Sequence, residues 1–386
     1  MSQAEPKAPL LERVAVQYFQ RRSAARPPLQ SGDAVHFLNP EERAGMRRVV
    51  RGALIRAGVA GALSATASAV AEVMAEPLLP EGASTFSAAG AQYWAVLGGV
   101  TVVASVVEIL FLYWDTVRSV HELSVVAGLP LFAPGDVQGQ AVAQALARAA
   151  LELPNPAKSD HGVDPRRESS KWMLLVASLA YKAKVGVTNF LVKLVVRRML
   201  GRALARSVLN AVVPFAAVPI TALWNALVSA ALFKEARIRA MGPSAAHELV
   251  EVAFADAPAL SEAGRLAAVR AVACAIVRTQ DLHPNLIGLL EAVQKKAGAL
   301  PRGAELDDPG EFLRALPSLD EKERRLAVRV LAVACVVDGR LARRERSFLQ
   351  ETFRAAGRSD DLGPVEHLCR AFVQGDGVAD DAVRAL

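Results

Sequence analysis

The sequence predicts an all-α protein that combines a transmembrane helical hairpin, a second apolar hairpin turned by prolines, and a C-terminal helical bundle. Hydrophobic residues make up 52% of the 386-residue chain, and the mean hydropathy is +0.25. The uncharged apolar runs are concentrated in two regions, 39–120 and 171–242, whereas residues 243–386 show balanced charge with apolar positions at helical spacing. This composition excludes a disordered chain and a fibrous repeat.

The charge and the cysteines limit the classes of partner and of site. The net charge is +6 and the pI is about 9.4, which favours an acidic partner. We expect a membrane with anionic lipids rather than nucleic acid, because the basic residues alternate with long apolar runs. Three cysteines without a CxxC pair argue against a disulfide framework and a zinc ribbon. No nucleotide-binding, protease or hydrolase motif occurs, so we expect no enzymatic activity and no cofactor.

The first predicted span follows a helix start at Asn39 and Pro40, where a cap residue precedes a proline at the first helical position. The helix continues through several arginines into the uncharged stretch 57–71. Small residues recur there every four positions, which lets helices approach closely in lipid. The members of this small-residue face are Ala57, Gly61, Ala65 and Ala69. We expect Gly98 and Gly99 of the next helix to receive the face, and a homo-oligomer through it is the alternative use.

The second predicted span, about 93–114, is bounded by aromatic residues at both ends. Its two tryptophans lie twenty residues apart. That separation is roughly 30 Å along a helix, close to the hydrocarbon thickness of a bilayer. Aromatic rings of this kind anchor helix ends at the headgroup level. The predicted interface anchors of this span are Tyr93, Trp94, Tyr113 and Trp114. A buried helix in a large soluble core is the alternative interpretation.

The distribution of arginines predicts the orientation of this hairpin. The loop 76–90 contains no Lys or Arg, whereas arginines cluster just before the first span. The positive-inside rule therefore places the loop outside and both chain termini on the cytoplasmic side of the cell inner membrane. The arginines expected at lipid headgroups here are Arg47, Arg48 and Arg51.

Glu108 is an acid inside the second span. A carboxylate at such a depth is usually protonated, paired, or extended towards the interface. Two interpretations are open. We favour a polar contact near the cytoplasmic interface, and the alternative is a role in an ion or proton pathway.

Two further segments surround the hairpin. Residues 1–38 are predicted to form an N-terminal amphipathic segment, which either packs on the soluble domain or lies on the membrane surface. Residues 121–170 are predicted to form a cytoplasmic helix and a polar linker.

Region 171–242 is apolar but strongly basic. It contains eleven Lys or Arg residues and a single acid, Glu235. Because Pro214 and Pro219 divide its longest uncharged run, we predict a re-entrant or interfacial hairpin that keeps both basic ends in the cytoplasm and stops at Gly242-Pro243. Two full spans in this region, four in all, are the alternative. The expected lipid contacts are an interface anchor at Trp172 and headgroup contacts from Arg197, Arg198, Arg202 and Arg206.

The order of short motifs in this region resembles a known family. A basic segment, Val195-Val196-Arg197-Arg198, precedes a proline-bearing turn at Val218-Pro219 and the segment Trp224-Asn225-Ala226. In this order the region is similar to the membrane-associated part of the EcsC-like proteins. The resemblance covers about seventy residues and implies peripheral or re-entrant membrane contact.

The C-terminal region 243–386 carries helix signals throughout. Ser318-Leu319-Asp320-Glu321 predicts a capped helix start, and an apolar helix ends at Asp338-Gly339, where glycine permits a left-handed turn. Glu345 follows on the next helix. This combination resembles the TerB-like domain of the tellurite-resistance family, which implies a helical bundle built from two related halves.

The same resemblance implies an acidic metal-binding cluster, for which Asp338 and Glu345 are the candidate ligands. A shift of 59 residues aligns the two halves but places Thr279 and Leu286 at the matching positions, so the first half supplies no carboxylate there. Two carboxylates make a poor site for Ca²⁺ or another hard divalent cation. We therefore favour structural roles, with Asp338 as a helix cap and Glu345 paired with a nearby arginine.

Two classes of function are compatible with these features. The first is a non-enzymatic, membrane-tethered scaffold or stress-sensing module, which presents a TerB-like domain at the cytoplasmic face and binds other membrane or stress proteins. The second is a transport or pore component with a pathway through the apolar helices. The sequence favours the first class, because the predicted spans are few and carry almost no polar lining.

Overall fold

The regular secondary structure of the computed structural model is helical in the residues that it describes. These residues are 9–24, 38–78, 90–129, 131–132, 137–155, 162–167, 215, 217–257, 259–301 and 303–386, and no β-strand occurs among them. The all-α prediction is therefore confirmed for this part of the chain.

Twelve α-helices lie within the described ranges. They are α1 (Leu10–Ala24), α2 (Pro40–Ala75), α3 (Ala91–Val126), α4 (Val137–Ala150), α5 (Ala217–Phe254), α6 (Glu262–Thr279), α7 (Pro284–Ala297), α8 (Pro309–Ala315), α9 (Glu321–Val337), α10 (Arg343–Ala355), α11 (Gly363–Gln374) and α12 (Asp380–Ala385). Short 3₁₀ turns occur at Glu76–Leu78 and Leu316–Ser318.

The chain forms two compact units, each discontinuous in sequence. The bundle unit comprises Met1–Arg47, Val120–Ser169 and Phe233–Leu386. The apolar unit comprises Arg48–Ser119 and Ser170–Leu232. Each unit is described separately below.

Within the described ranges, three helices are long and apolar enough to cross a membrane. They are α2 with its 3₁₀ extension, α3 and α5, and α3 is the most apolar of them. The two spans predicted from the sequence lie inside α2 and α3. Length and composition therefore indicate that the protein associates with a membrane.

The course of α5 differs from the hairpin predicted for region 171–242. The helix does not stop at Gly242-Pro243 but continues to Phe254. Pro219 lies in its first turn, where a missing N–H costs nothing, and Pro243 removes only one intrahelical hydrogen bond. The expected exit at 242 is therefore wrong, and the first leg of the hairpin lies outside the described residues.

The small-residue face of α2 packs on α5 within the apolar unit. A Cβ atom at Gly61 would lie 2.6 Å from Asn225 Nδ2 and 2.9 Å from the Thr221 carbonyl oxygen. By contrast, a Cβ atom at Gly98 or Gly99 would meet nothing within 4 Å. The expected partner on α3 is therefore wrong. The face is buried inside one chain instead of being free for a second copy.

In the bundle unit, α1 packs against α4. Phe19 of α1 is fully buried, and Glu12 forms an ion pair of 2.8 Å with Arg148 of α4. The Phe19 ring also contacts His121, with 5.6 Å between ring centroids.

The C-terminal helices of the bundle unit repeat with the predicted shift. Moving α6 by 59 residues places its first residue, Glu262, on Glu321 of α9, and the same shift places Pro284 of α7 on Arg343 of α10. The two helix pairs therefore have matching bounds. One detail of capping differs, because Asp320 rather than Ser318 caps α9, accepting a hydrogen bond from the Glu323 N–H.

Candidate functional site

The predicted membrane-contact residues that can be described are mostly exposed. Trp94, Tyr113 and Trp114 of α3 have exposed side chains, whereas Tyr93 is buried and its ring packs edge-on against Trp94. The arginines on α2 expected at headgroups, Arg47, Arg48 and Arg51, are all exposed. The remaining candidates lie outside the described residues: Trp172, Arg197, Arg198, Arg202 and Arg206.

Glu108 makes a polar contact that links all three apolar helices of the apolar unit. Its Oε1 accepts a hydrogen bond of 2.6 Å from Asn225 Nδ2 on α5. Asn225 Nδ2 also lies 3.4 Å from the carbonyl oxygen of Ala57 on α2. Both polar side chains are buried. An unsatisfied polar group in hydrocarbon is costly, so this contact favours one mutual register of the three helices.

A second polar contact lies nearer the basic end of the apolar unit. Arg56 Nε donates to Asp115 Oδ1 at 2.7 Å, and Arg56 Nη2 donates to Ser119 Oγ at 2.9 Å. Asp115 is buried. This pair joins α2 to α3 where both helices leave their uncharged stretches.

The 338–342 turn between α9 and α10 adopts the predicted glycine conformation. Gly339 has a φ angle of +69°, and a Cβ atom there would lie 2.4 Å from Ile238 Cδ1. Asp338 Oδ1 accepts from the Arg340 N–H at 3.0 Å, and Glu345 Oε2 accepts from the Ala342 N–H at 2.8 Å. Asp338 therefore closes its own turn, and it does not cap α10. Glu345 holds the start of α10, and no arginine among the described residues forms an ion pair with it.

The two carboxyl groups of this turn are buried together. Burial raises the pKa of Asp338, and burial together with the Asp338 carboxylate raises the pKa of Glu345 further. Burial also raises the pKa of the adjacent Cys335 thiol well above its ordinary value. Burial therefore disfavours the ionised forms of Glu345 and of the Cys335 thiol, because it raises the pKa of each, which is a structural environment rather than a nucleophilic one.

The residues at the turn do not fit the metal site that the family resemblance implies. Asp338 and Glu345 each use an oxygen to accept a backbone N–H. Within the described ranges, no group of three His, Cys, Asp or Glu side chains is placed to hold a metal ion. A hard cation needs six or more oxygen ligands. The turn therefore does not supply the ligands that a hard cation requires.

Glu235 of α5 contacts several polar and charged side chains around the turn. Its Oε1 accepts from Arg239 Nε at 2.9 Å and lies 3.1 Å from His283 Nε2. Its Oε2 accepts from Arg340 Nη2 at 2.8 Å. His283 Nδ1 accepts from the Asn285 N–H, so the ring carries its proton on Nε2 and donates it to Glu235. One carboxylate thereby links α5 and the start of α7 to the turn.

Asn285 supplies a second link between the same elements. Its Nδ2 donates to the carbonyl oxygens of Ile238 on α5, at 3.0 Å, and Val337 on α9, at 2.7 Å. The close approach requires Gly242, because a Cβ atom there would lie 2.0 Å from Asn285 Oδ1. Gly242 therefore serves helix packing instead of ending α5.

Sequence reasoning missed the partners that make these contacts. Asn225 and Glu235 carried a usable signal, since each is an isolated polar or acidic residue in an otherwise apolar or basic region. His283 and Asn285 carried none, because nothing in their neighbourhood specifies a contact with α5.

Comparisons of the chain with protein-family models, with curated proteins and with solved structures found no match. The proposed function therefore rests on the geometry of the two units.

Proposed function

We propose that the protein is a non-enzymatic, membrane-anchored scaffold or stress-sensing module. In this proposal α2 and α3 cross the inner membrane, α5 enters it without crossing, both termini lie in the cytoplasm, and the bundle unit binds other membrane or stress proteins.

The observation that carries the proposal is the distribution of exposed large apolar side chains. Among the described residues of the apolar unit, seven large apolar side chains each expose more than 60% of their surface: Leu63, Met74, Val102, Val103, Val107, Leu110 and Leu223. In the described part of the bundle unit, exposed large apolar residues are confined to Leu10, Leu11 and Val14 of α1. Apolar surface on this scale is stable in lipid and costly in water.

The buried polar contacts support an anchoring role for the apolar helices. Glu108 already pairs with Asn225, and Arg56 already pairs with Asp115. A transport pathway needs polar groups that are available to a passing ion, whereas these four groups are paired with one another.

Cysteine labelling in intact cells tests the orientation. Ala83→Cys, in the 76–90 loop, should react with a membrane-impermeant maleimide. Asp160→Cys, in the bundle unit, should react only after the cells are opened. Labelling of Asp160→Cys in intact cells would contradict the proposed topology.

Ion flux separates the scaffold from the transport alternative, which the buried Glu108 keeps open. The full chain reconstituted into liposomes should conduct no ions above the level of empty liposomes. Flux that Glu108→Gln abolishes would favour a transport component over a scaffold.

A further inference from the structure

The structure contains a groove between α2 and α3 that lies entirely within the apolar unit. Its volume is about 490 Å³, within the range of small-molecule sites. The walls are formed mainly by Ile55, Val59, Leu63 and Ala67 of α2 and by Val107 and Phe111 of α3. The larger of these side chains are exposed to the groove and its opening.

The length of the groove matches one leaflet of a bilayer. From Ile55 to Ala67 the groove follows twelve residues of α2, or roughly 18 Å at about 1.5 Å per residue. The hydrocarbon region is about 30 Å thick, so one leaflet contributes about 15 Å. An extended acyl chain lying along the helices therefore fits the groove from end to end.

Basic residues lie at one end of the groove. The acidic side chain that lines the groove, Glu108, already has a hydrogen-bond partner. Arg48 precedes Ile55 by seven residues, which places both on the same face of α2, and Arg48 and Arg51 are exposed. Arg56 lines that same end. Glu108 also lines the groove, but its carboxylate accepts the hydrogen bond from Asn225. The arrangement suits an apolar chain with an anionic headgroup beside the arginines.

We propose that the α2–α3 groove binds one acyl chain of an anionic phospholipid, with the headgroup held at Arg48. The proposal rests on the membrane placement of α2 and α3. It goes beyond anchoring, because it assigns one lipid to one site instead of assigning lipid to the whole apolar surface.

The test measures lipid retained by the full chain in mild detergent. The protein is incubated with equal amounts of phosphatidylglycerol and phosphatidylcholine that carry identical acyl chains, and bound lipid is counted by native mass spectrometry. We expect wild type to retain one phosphatidylglycerol in preference to phosphatidylcholine. Equal retention of the two lipids would overturn the proposal.

Two substitutions fill the groove from opposite helices. Ala67→Phe and Ala104→Phe place a ring where the chain would lie, and each should lower lipid occupancy roughly tenfold. Val102→Phe adds the same bulk at an exposed position of α3 outside the lining and should leave occupancy unchanged. Wild-type occupancy in either variant would overturn the proposal. The test therefore remains decisive even if the other variant misfolds.

The headgroup assignment has its own matched pair. Arg48→Gln should abolish the preference for phosphatidylglycerol, whereas Arg47→Gln removes an equally exposed arginine from another face of α2 and should keep it. An unchanged preference in Arg48→Gln would overturn the proposal. Extraction of cell membranes with alkaline carbonate tests anchoring separately, because a protein that stays in the pellet but retains no specific lipid fails only the groove proposal.

Discussion

The two units bury charged side chains in different ways. The apolar unit pairs each buried acid with one neighbour, as in the 2.6 Å contact of Glu108 with Asn225. The bundle unit concentrates several groups on one carboxylate, since Glu235 contacts His283, Arg239 and Arg340. A single polar contact between helices in lipid is worth on average about 0.6 kcal/mol, whereas a network of polar groups can be worth more than the sum of its pairs.

The largest expected effect comes from removing the Glu235 carboxylate from the bundle unit. Glu235→Ala leaves Arg239, His283 and Arg340 without their shared acceptor, and the side chain is only 14% exposed. We expect a loss of about 2–4 kcal/mol in local stability, between the values for exposed and fully buried ion pairs. Hydrogen exchange of peptides from α7 and α10 in the full chain measures it.

The control for this variant is an exposed pair in the same unit. Glu251→Ala removes the partner of Lys296, which lies 2.6 Å away at the surface. We expect a change of no more than about 1 kcal/mol. Equal protection in Glu235→Ala and Glu251→Ala would show that the Glu235 contacts do not hold the turn.

The pH dependence of the bundle unit isolates the buried acids. The pKa of Asp338 rises from 3.8 to about 6 and that of Glu345 from 4.5 to about 9. Because each carboxyl group has a higher pKa in the folded chain than in the unfolded one, its contribution to the stability of the folded chain is fully present below about pH 4. That contribution is lost as the pH rises through about 6 for Asp338 and then about 9 for Glu345. While one group titrates, the loss is at most about 1.4 kcal/mol per pH unit.

Glu345→Gln removes the later of these two titrations. Relative to wild type, the variant should gain stability as the pH is raised towards 9. Hydrogen exchange of α9 and α10, with rates corrected for the intrinsic effect of pH, measures the difference. Glu351→Gln changes another carboxylate of α10 and should follow wild type. A Glu345→Gln difference that stays constant with pH would mean that Glu345 does not titrate in this range.

Close helix contacts provide an intermediate test in both units. Gly242→Ala places a methyl group against Asn285, and Gly61→Ala places one against Thr221 and Asn225. Each should cost about 1–3 kcal/mol by overpacking. Thermal unfolding of the full chain in detergent measures the cost.

Matched glycines in the same units supply the controls. A methyl group at Gly288 would lie 3.9 Å from the Ala246 Cβ, and one at Gly98 would meet nothing within 4 Å. Gly288→Ala and Gly98→Ala should therefore be neutral or slightly stabilising, because alanine favours helix over glycine. Equal melting of all four variants would contradict the proposed packing in both units.

The smallest expected effect is in the apolar unit. A double-mutant cycle of Glu108→Leu and Asn225→Leu should give a coupling energy of about 0.6–1.7 kcal/mol, the range for polar contacts between helices in lipid. Unfolding of the full chain in mixed micelles measures each variant. A coupling near zero would show that the 2.6 Å contact does not set helix register.

The sequence predicted features that depend on neighbouring residues and missed those that depend on distant ones. The Asp338-Gly339 turn follows from local glycine chemistry, and the structure confirms it. The 59-residue shift comes from aligning the two halves that the TerB-like resemblance implies, and the helix bounds match it. The pairing of Glu108 with Asn225 joins residues 117 positions apart, and no local signal specifies it. The role of Gly242 was misjudged for the same reason, because a glycine that ends a helix and one that admits a partner look alike in sequence.

The burial of the cysteines has a consequence for the protein's redox chemistry. Cys274, Cys335 and Cys369 are all buried thiols, and burial raises the pKa of each. Peroxides and maleimides react with accessible thiolates, so the three cysteine thiols of the folded chain should remain unmodified. A cysteine introduced at the surface then becomes the sole reactive thiol, and the wild-type chain already serves as the background against which its labelling by maleimide is measured.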